Sequence, residues 1–281
     1  MIGRAAIVTG GLSGLGRAMA LALARSGGQV LAVGHIADDA ERMSREIAGS
    51  PLGENLVPLV ADLRRPAECD RAVAAALSRF GRLHILINNA GLTFTYIWPD
   101  LYRRPQKPKF WELKDEIVQN VMDTNYVAAD QMARRAAPLL AKQGWGRIIN
   151  VTTKLDTMNR PTSGPYGASK AALEIATEIW AQEMAGTGVT VNILNPGAGA
   201  HTPGIAAEAS AASRAGRLPR FVEPDEMVAP LLWLVSSEAD AINGYRFDAL
   251  TWDKALPPVE AARKIARKAG FDLHPLDPAG F

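Results

Sequence analysis

Tyr166 and Lys170, four residues apart in Tyr166-Gly167-Ala168-Ser169-Lys170, are the pair in this sequence best suited to moving a proton. At that spacing on a helix both side chains lie on one face. A free phenol has a pKa of about 10, too high to exchange protons readily at neutral pH. A neighbouring ammonium favours the phenolate and lowers that value, so the tyrosine can act as acid or base. The same pattern also occurs on ordinary surface helices, so its meaning depends on where the fold puts it. The second chemical feature is the run Thr9-Gly10-Gly11-Leu12-Ser13-Gly14-Leu15-Gly16. Glycines there let the backbone turn sharply and approach a pyrophosphate, and the helix that follows offers free N–H groups and a positive dipole end. A tight turn without ligand is the alternative. Placement between a first strand and a first helix favours the phosphate site.

The elements that must carry these residues are legible as short apolar runs alternating with longer helical patterns. Strands are expected at Ala5–Val8, Gln29–Val33, Leu56–Ala61, His84–Ile87, Arg147–Val151, Thr190–Leu194 and Tyr245–Phe247. Helices are expected at Arg17–Ser26, Asp38–Ala48 (capped by Asp38 or Asp39), Ala67–Phe80, Glu116–Ala141, Tyr166–Ala185, Pro224–Val235 and Val259–Ala269. Continuously apolar strands separated by helices imply an α/β fold: a doubly wound, mostly parallel seven-stranded sheet covered on both faces. Residues 1–252 read as one domain of this kind. Residues 253–281 read as a C-terminal extension packed on it or on a neighbouring subunit. Two stretches break the rhythm, 92–112, rich in aromatics and proline, and 198–223, rich in Ala, Gly and Ser. Long loops in compact domains are commonly functional.

The glycine spacing, Thr-Gly-xxx-Gly-x-Gly, is similar to the signature of the short-chain dehydrogenase/reductase family. Further motifs fit that family in order: Asp62 with its neighbour Leu63 after the third strand, Asn88-Asn89-Ala90-Gly91 after the fourth, the Tyr166/Lys170 pair, and Pro196-Gly197 with Thr202 after the sixth. The resemblance runs from about residue 4 to residue 248. It implies a Rossmann-type oxidoreductase that interconverts a carbonyl and an alcohol by hydride transfer with NAD or NADP. It also implies a small-molecule substrate, and a homodimer or homotetramer formed through the helices around 116–141 and 166–185.

Residue by residue, the resemblance implies that Gly10, Ser13, Gly14, Leu15 and Gly16 hold the cofactor phosphates. Asp62 and Leu63 would lie near the adenine, Asn89, Ala90 and Gly91 along the cofactor, and Pro196, Gly197 and Thr202 near the nicotinamide carboxamide. Tyr166 becomes the general acid/base, Lys170 also binds the nicotinamide ribose, and Asn125, in Asp123-Thr124-Asn125, holds a water in a proton relay with the lysine. The family's usual serine, thirteen residues before the tyrosine, is here Thr153. Threonine keeps the hydroxyl but adds a methyl and stiffens χ1, so a reshaped pocket is expected. Lys154 beside it would add positive potential or attract an acidic substrate, or else point to solvent. The end of the second strand is Gly34-His35, without the carboxylate that would bind a ribose 2′-hydroxyl. His35 and Arg17 are placed to approach a 2′-phosphate, which favours NADP over NAD.

Phe94, Tyr96, Trp98 and Tyr102 either line an apolar substrate pocket or pack the 92–112 segment on the domain, with equal weight. Gly204 and Gly216 would let the 198–223 loop close as a lid. The basic cluster Arg103, Arg104, Lys107 and Lys109 reads as a solvated loop. A formal net charge of +2 gives no reason to expect nucleic acid or a membrane as partner. One cysteine, Cys69, excludes an intrachain disulfide, no His/Cys/Asp/Glu spacing suits a metal, and no Gly-x-Ser-x-Gly elbow is present. With no leader-like or bilayer-length apolar segment, a cytoplasmic protein is expected. Two further readings remain at this stage: a nucleotide-binding regulatory protein that has lost turnover, and a C=C reductase.

Overall fold

The computed structural model describes residues 1–101 and 103–271. Tyr102, and residues 272–281 at the end of the C-terminal extension, lie outside the described residues. The strands are β1 (Ala5–Thr9), β2 (Gln29–Gly34), β3 (Leu56–Val60), β4 (Ile85–Asn88), β5 (Gly146–Asn150), β6 (Val189–Asn195), β7 (Tyr245–Asp248) and β8 (Arg267–Lys268). They form one eight-stranded sheet in the order β3-β2-β1-β4-β5-β6-β7-β8. Pairing is parallel from β3 to β7. The expected count of seven is exceeded by β8, a two-residue antiparallel addition to β7 contributed by the C-terminal extension.

Alternation along each strand sends side chains to opposite faces, and both faces are dry. Ala6, Val8, Val30, Ala32, Ile87 and Ile149 join one core cluster, and Ala5, Ile7, Leu31, Val33, Leu86 and Ile148 join the other. Helices cover them in chain order: α1 (Gly14–Arg25), α2 (Ala37–Ile47), α3 (Leu52–Asn55), α4 (Pro66–Phe80), α5 (Phe94–Ile97), α6 (Asp115–Met122), α7 (Ala128–Gln143), α8 (Leu155–Asn159), α9 (Tyr166–Glu183), α10 (Ala207–Arg214), α11 (Val228–Leu234) and α12 (Pro258–Ile265). Ala261 and Ala262 of α12 are buried in the first cluster. Among the described residues no helix is long and apolar enough to cross a membrane.

Three differences from the sequence reading have local causes. The N-cap of α2 is Ile36, in extended backbone, and Asp38 and Asp39 lie within the first turn, where they favour the positive dipole end. The helix expected over 116–141 is interrupted by a π turn at Asp123–Val127, which divides α6 from α7. The last helix ends at Ile265, and the chain turns into β8.

Behind the sheet's carboxyl edge lies an almost dry ion pair. Arg246 of β7 and Glu174 of α9 are 1% and 0% exposed and meet at 2.7 Å. Thr152 donates a hydrogen bond to Glu174 (3.1 Å), and Arg246 donates one to the Thr153 carbonyl (3.0 Å). Removing one partner strands the other charge out of water. Arg246→Met or Glu174→Leu alone should therefore cost about 3–5 kcal/mol in denaturant unfolding, and the double variant should lose less than either.

Candidate active site

A cavity of about 1200 Å³ opens at the carboxyl ends of the strands. It lies where the strand order reverses between β1 and β4, the usual ligand crevice of open α/β sheets. The glycine loop forms one wall. Gly10 and Gly14 have φ of +63° and +54°, a region that L side chains seldom adopt. A Cβ on Gly16 would collide with the Gly10 carbonyl oxygen and with Asn89 Nδ2, so only glycine lets α1 start this close to the loop. Ser13 is the N-cap of α1 but its hydroxyl makes no capping bond. Gly10, Ser13, Gly14 and Leu15 line the cavity, and Gly16 stands behind them.

The loop is clamped to the end of β4 by a reciprocal set of bonds. The Thr9 hydroxyl accepts from the Asn89 and Ala90 N–H groups (2.9 and 3.1 Å), and Asn89 Nδ2 donates to the Thr9 and Gly10 carbonyls (3.0 and 3.3 Å). Asn89, singled out above for cofactor contact, thus holds the phosphate loop with its side chain. Thr9 was legible as the threonine of the motif but its structural task was not.

At the end of β2, Leu12 fills the space that a side chain at Gly34 would need, with a Cβ there 2.8 Å from Leu12 Cδ1. His35 and Asp39 line the cavity. Asp39 is held by Arg42 at 2.5 Å. Arg17, expected to face a 2′-phosphate, instead pairs with Glu46. Asp62 and Leu63 line the wall after β3. Hydrogen bonds from Arg64 keep the Asp62 carboxyl below the usual carboxylate range.

The chemical residues converge at the far end. Thr153 is buried after β5, while Tyr166 and Lys170 reach the cavity from the first turns of α9. Burial pushes the Tyr166 phenol above its ordinary pKa, while hydrogen bonding with Thr153 and the positive charge of Arg160 pull it down. Lys170 Nζ donates to the Val151 carbonyl at 2.8 Å, and burial lowers its pKa to about 8. Asn125, in the π turn, lies outside the cavity wall. Its Oδ1 accepts from the Leu92 N–H (2.7 Å), and its Nδ2 donates to the Leu92 carbonyl (3.1 Å) and the Ser169 hydroxyl (3.0 Å). Lys170 Nζ and Asn125 Oδ1 flank Gly91, at 3.4 and 3.3 Å from a Cβ built there. Lys154 is half exposed and pairs with Asp156 at 2.8 Å.

The two long loops close the substrate side. In the first, Phe94 packs on the Tyr166 ring with centroids 4.9 Å apart, and the Tyr96 hydroxyl accepts from Asn120 at 2.8 Å. Both line the cavity, whereas Trp98 joins Ile97 and Val121 in a small core. The aromatics therefore divide between the two roles expected of them. Phe110 and Trp111 are exposed and stack on each other. The second loop is partly helical (α10). It is tied to the first by the bond from Thr93 to the Gly204 carbonyl, and brings Pro196, Gly197 and Thr202 to the cavity. Thr202 faces Gly14 so closely that a Cβ on Gly14 would lie 3.2 Å from it. Arg160, just before α9, also lines the cavity and was missed in the sequence; a lone arginine in a Pro/Ser/Gly-containing stretch carries no periodic signal.

The family model for short chain dehydrogenases matches residues 4–211, and the chain belongs to that family. It is 35% identical over 253 residues to the 2-dehydro-3-deoxy-D-gluconate 5-dehydrogenase of Escherichia coli, covering 86% of this chain and 92% of that one. Its fold superposes with a TM-score of 0.74 on a 3-ketoacyl-(acyl-carrier-protein) reductase from Brucella melitensis complexed with NADH, at 29% identity, covering 88% of this chain and 96% of that one. A point variant of the actinorhodin polyketide ketoreductase with NADPH gives a TM-score of 0.72 at 26% identity, covering 85% and 93% of the two chains.

The buried ammonium has a measurable signature in the cofactor-free protein. With a folded pKa near 8 against 10.5 for an ordinary lysine, the unfolded chain binds more protons between those values. Stability should therefore rise with pH from about 8 to 10, before tyrosine ionisation opposes it, toward a full gain of about 3 kcal/mol. Lys170→Met should lack that rise in urea melts taken across the same range.

Proposed function

We propose that this chain is an NAD(P)-dependent oxidoreductase that interconverts a carbonyl and an alcohol, with Tyr166 as general acid/base. The observation that carries the reading is the placement of the Tyr166 phenol beside the Thr153 hydroxyl on the wall of the cavity, with Lys170 one turn further along α9. The glycine loop fits a dinucleotide, because its positive-φ glycines bring the backbone and the N-terminus of α1, with its free N–H groups, to the cavity wall. Gly10, Ser13, Gly14 and Leu15 would hold the phosphates, with Asp62 and Leu63 beside the adenine and Ala90, Gly91, Pro196, Gly197 and Thr202 along the nicotinamide half. The nicotinamide, when bound, supplies or accepts the hydride.

The protein's own residues handle the oxygen and its proton. The Thr153 hydroxyl hydrogen-bonds the substrate oxygen and holds it against the phenol. Tyr166 gives its proton to that oxygen in reduction and takes it back in oxidation. Burial keeps the phenol protonated at rest, while Thr153 and Arg160 moderate the cost of releasing the proton. Lys170 holds a positive charge on the same helix face, anchored by Val151, and would return the proton by way of a water held at the π turn of Asn125. NADP is the preferred cofactor on this reading. With Arg17 engaged by Glu46 and position 34 closed by Leu12, the preference rests on His35. Val118 and Ile179, exposed on α6 and α9, support assembly into a homodimer or homotetramer through these helices.

Tyr166→Phe should lower kcat for carbonyl reduction by about a thousandfold while NADPH still quenches with near-normal affinity. Unchanged turnover in that variant would sink the mechanism. His35→Asp should shift the ratio of NADPH to NADH affinity toward NADH by about tenfold or more, since a carboxylate there repels a 2′-phosphate. Fluorescence titration of both cofactors reads this directly.

A further inference from the structure

We propose that the substrate carries a carboxylate, and that Arg160 is the group that receives it. The inference rests on the reading of Tyr166 as the proton donor and names the substrate class of that site. Around the cavity the ionic groups are mostly matched: Arg64 with Asp62 at 2.7 Å, Lys154 with Asp156 at 2.8 Å, and Arg220 with Glu226 at 2.7 Å. Arg160 has no ion pair and no side-chain hydrogen bond among the described residues. Its guanidinium stands over the Phe94 ring, 5.3 Å from the centroid, and Phe94 in turn packs on Tyr166.

Successive separations of 5.3 and 4.9 Å put the guanidinium within about 10 Å of the Tyr166 ring. A carbonyl bonded to the phenol and a carboxylate a few carbons away can therefore be held at once. The Phe94 ring holds the guanidinium beside it by a cation–π contact, and its N–H groups, without a hydrogen-bond partner among the described residues, are free for a bidentate acceptor such as a carboxylate. Lys107 on the same wall, also without an ion pair among the described residues, adds to the positive potential. The apolar lining from Leu92, Phe94, Tyr96, Ile205 and Phe221 fits a hydrocarbon or aryl body between the two polar ends. The substrate class is an amphipathic keto acid, and its product the hydroxy acid. Arg160 is exposed at the mouth of the site, with the Asp156 charge one turn before it, so the acid is selected by the gain of a bidentate contact that a neutral ketone cannot make.

The experiment compares aryl keto acids of graded chain length, from phenylglyoxylate to 4-oxo-4-phenylbutanoate, each with its methyl ester. Two readouts are taken: kcat/KM for NADPH oxidation, and binding to the enzyme–NADPH complex by nicotinamide fluorescence. At least one acid should be preferred over its ester by about tenfold or more, carried in KM and in binding. Arg160→Gln should bring that ratio close to one, and Arg160→Lys should restore part of it. Absence of any acid preference in either readout, or a preference that survives Arg160→Gln, overturns the assignment. The binding readout does not depend on turnover. Tight, Arg160-dependent binding of an acid without reduction would count against the hydride-transfer reading and leave the carboxylate site standing.

Discussion

An ammonium almost without water organises this active site. Lys170 is 4% exposed, and among the described residues its one hydrogen bond goes to the Val151 carbonyl. A charge in that position is tolerated because α9 packs on β5 and β6, so that a backbone oxygen at the carboxyl end of β5 faces it. The same close approach dictates its neighbours. A Cβ at position 91 would lie 3.3 Å from Asn125 Oδ1 and 3.4 Å from Lys170 Nζ, so a larger residue there would press on both. Asn125 is held in turn by both polar groups of the Leu92 backbone, which fixes where the first substrate loop leaves the sheet. Tyr166, one turn before the lysine, is carried to the cavity wall as a consequence.

A second buried charge supports the same face of the helix one turn further along. Glu174 lies four residues beyond Lys170, and its pair with Arg246 joins α9 to β7 beneath the Thr152-Thr153 segment. Burial raises the Glu174 carboxyl above its ordinary range, with Arg246 and Thr152 opposing the rise. The backbone carrying Thr153 is thus fixed from behind by a charge, and the hydroxyl is left to the cavity. The extension after residue 252 takes part as well. The Gly270 N–H also acts on Glu174, and β8 extends the edge of the sheet beside Arg246.

Much of this was legible in the residue order. Apolar strands separated by helices announce a parallel doubly wound sheet, and the glycine spacing and the Tyr166/Lys170 pair point to the crevice where they meet. Element interiors follow because they depend on local periodicity. Several features were not legible because they depend on contacts between distant segments. Arg17 could be placed on α1 from the sequence, but its pairing with Glu46 of α2 could not. Gly34 was read as a missing acid, whereas Leu12 had already closed that position. Arg160 became visible only when Phe94, from a loop more than sixty residues earlier in the chain, was found stacked between it and Tyr166. The π turn at Asn125 and the two-residue strand β8 carry no pattern long enough to register in a sequence.

The central claim is that Tyr166 moves the proton and that the Thr153 hydroxyl lowers the cost of its ionisation. The measurement that tests it most directly is the pH dependence of single-turnover alcohol oxidation in the wild type and in Thr153→Val. A single ionisation should govern the rise in rate with pH, and removing the hydroxyl should move that limb to higher pH, because the hydrogen bond favouring the phenolate is gone. A limb that stays in place in Thr153→Val, or a rate independent of pH in the wild type, would contradict it.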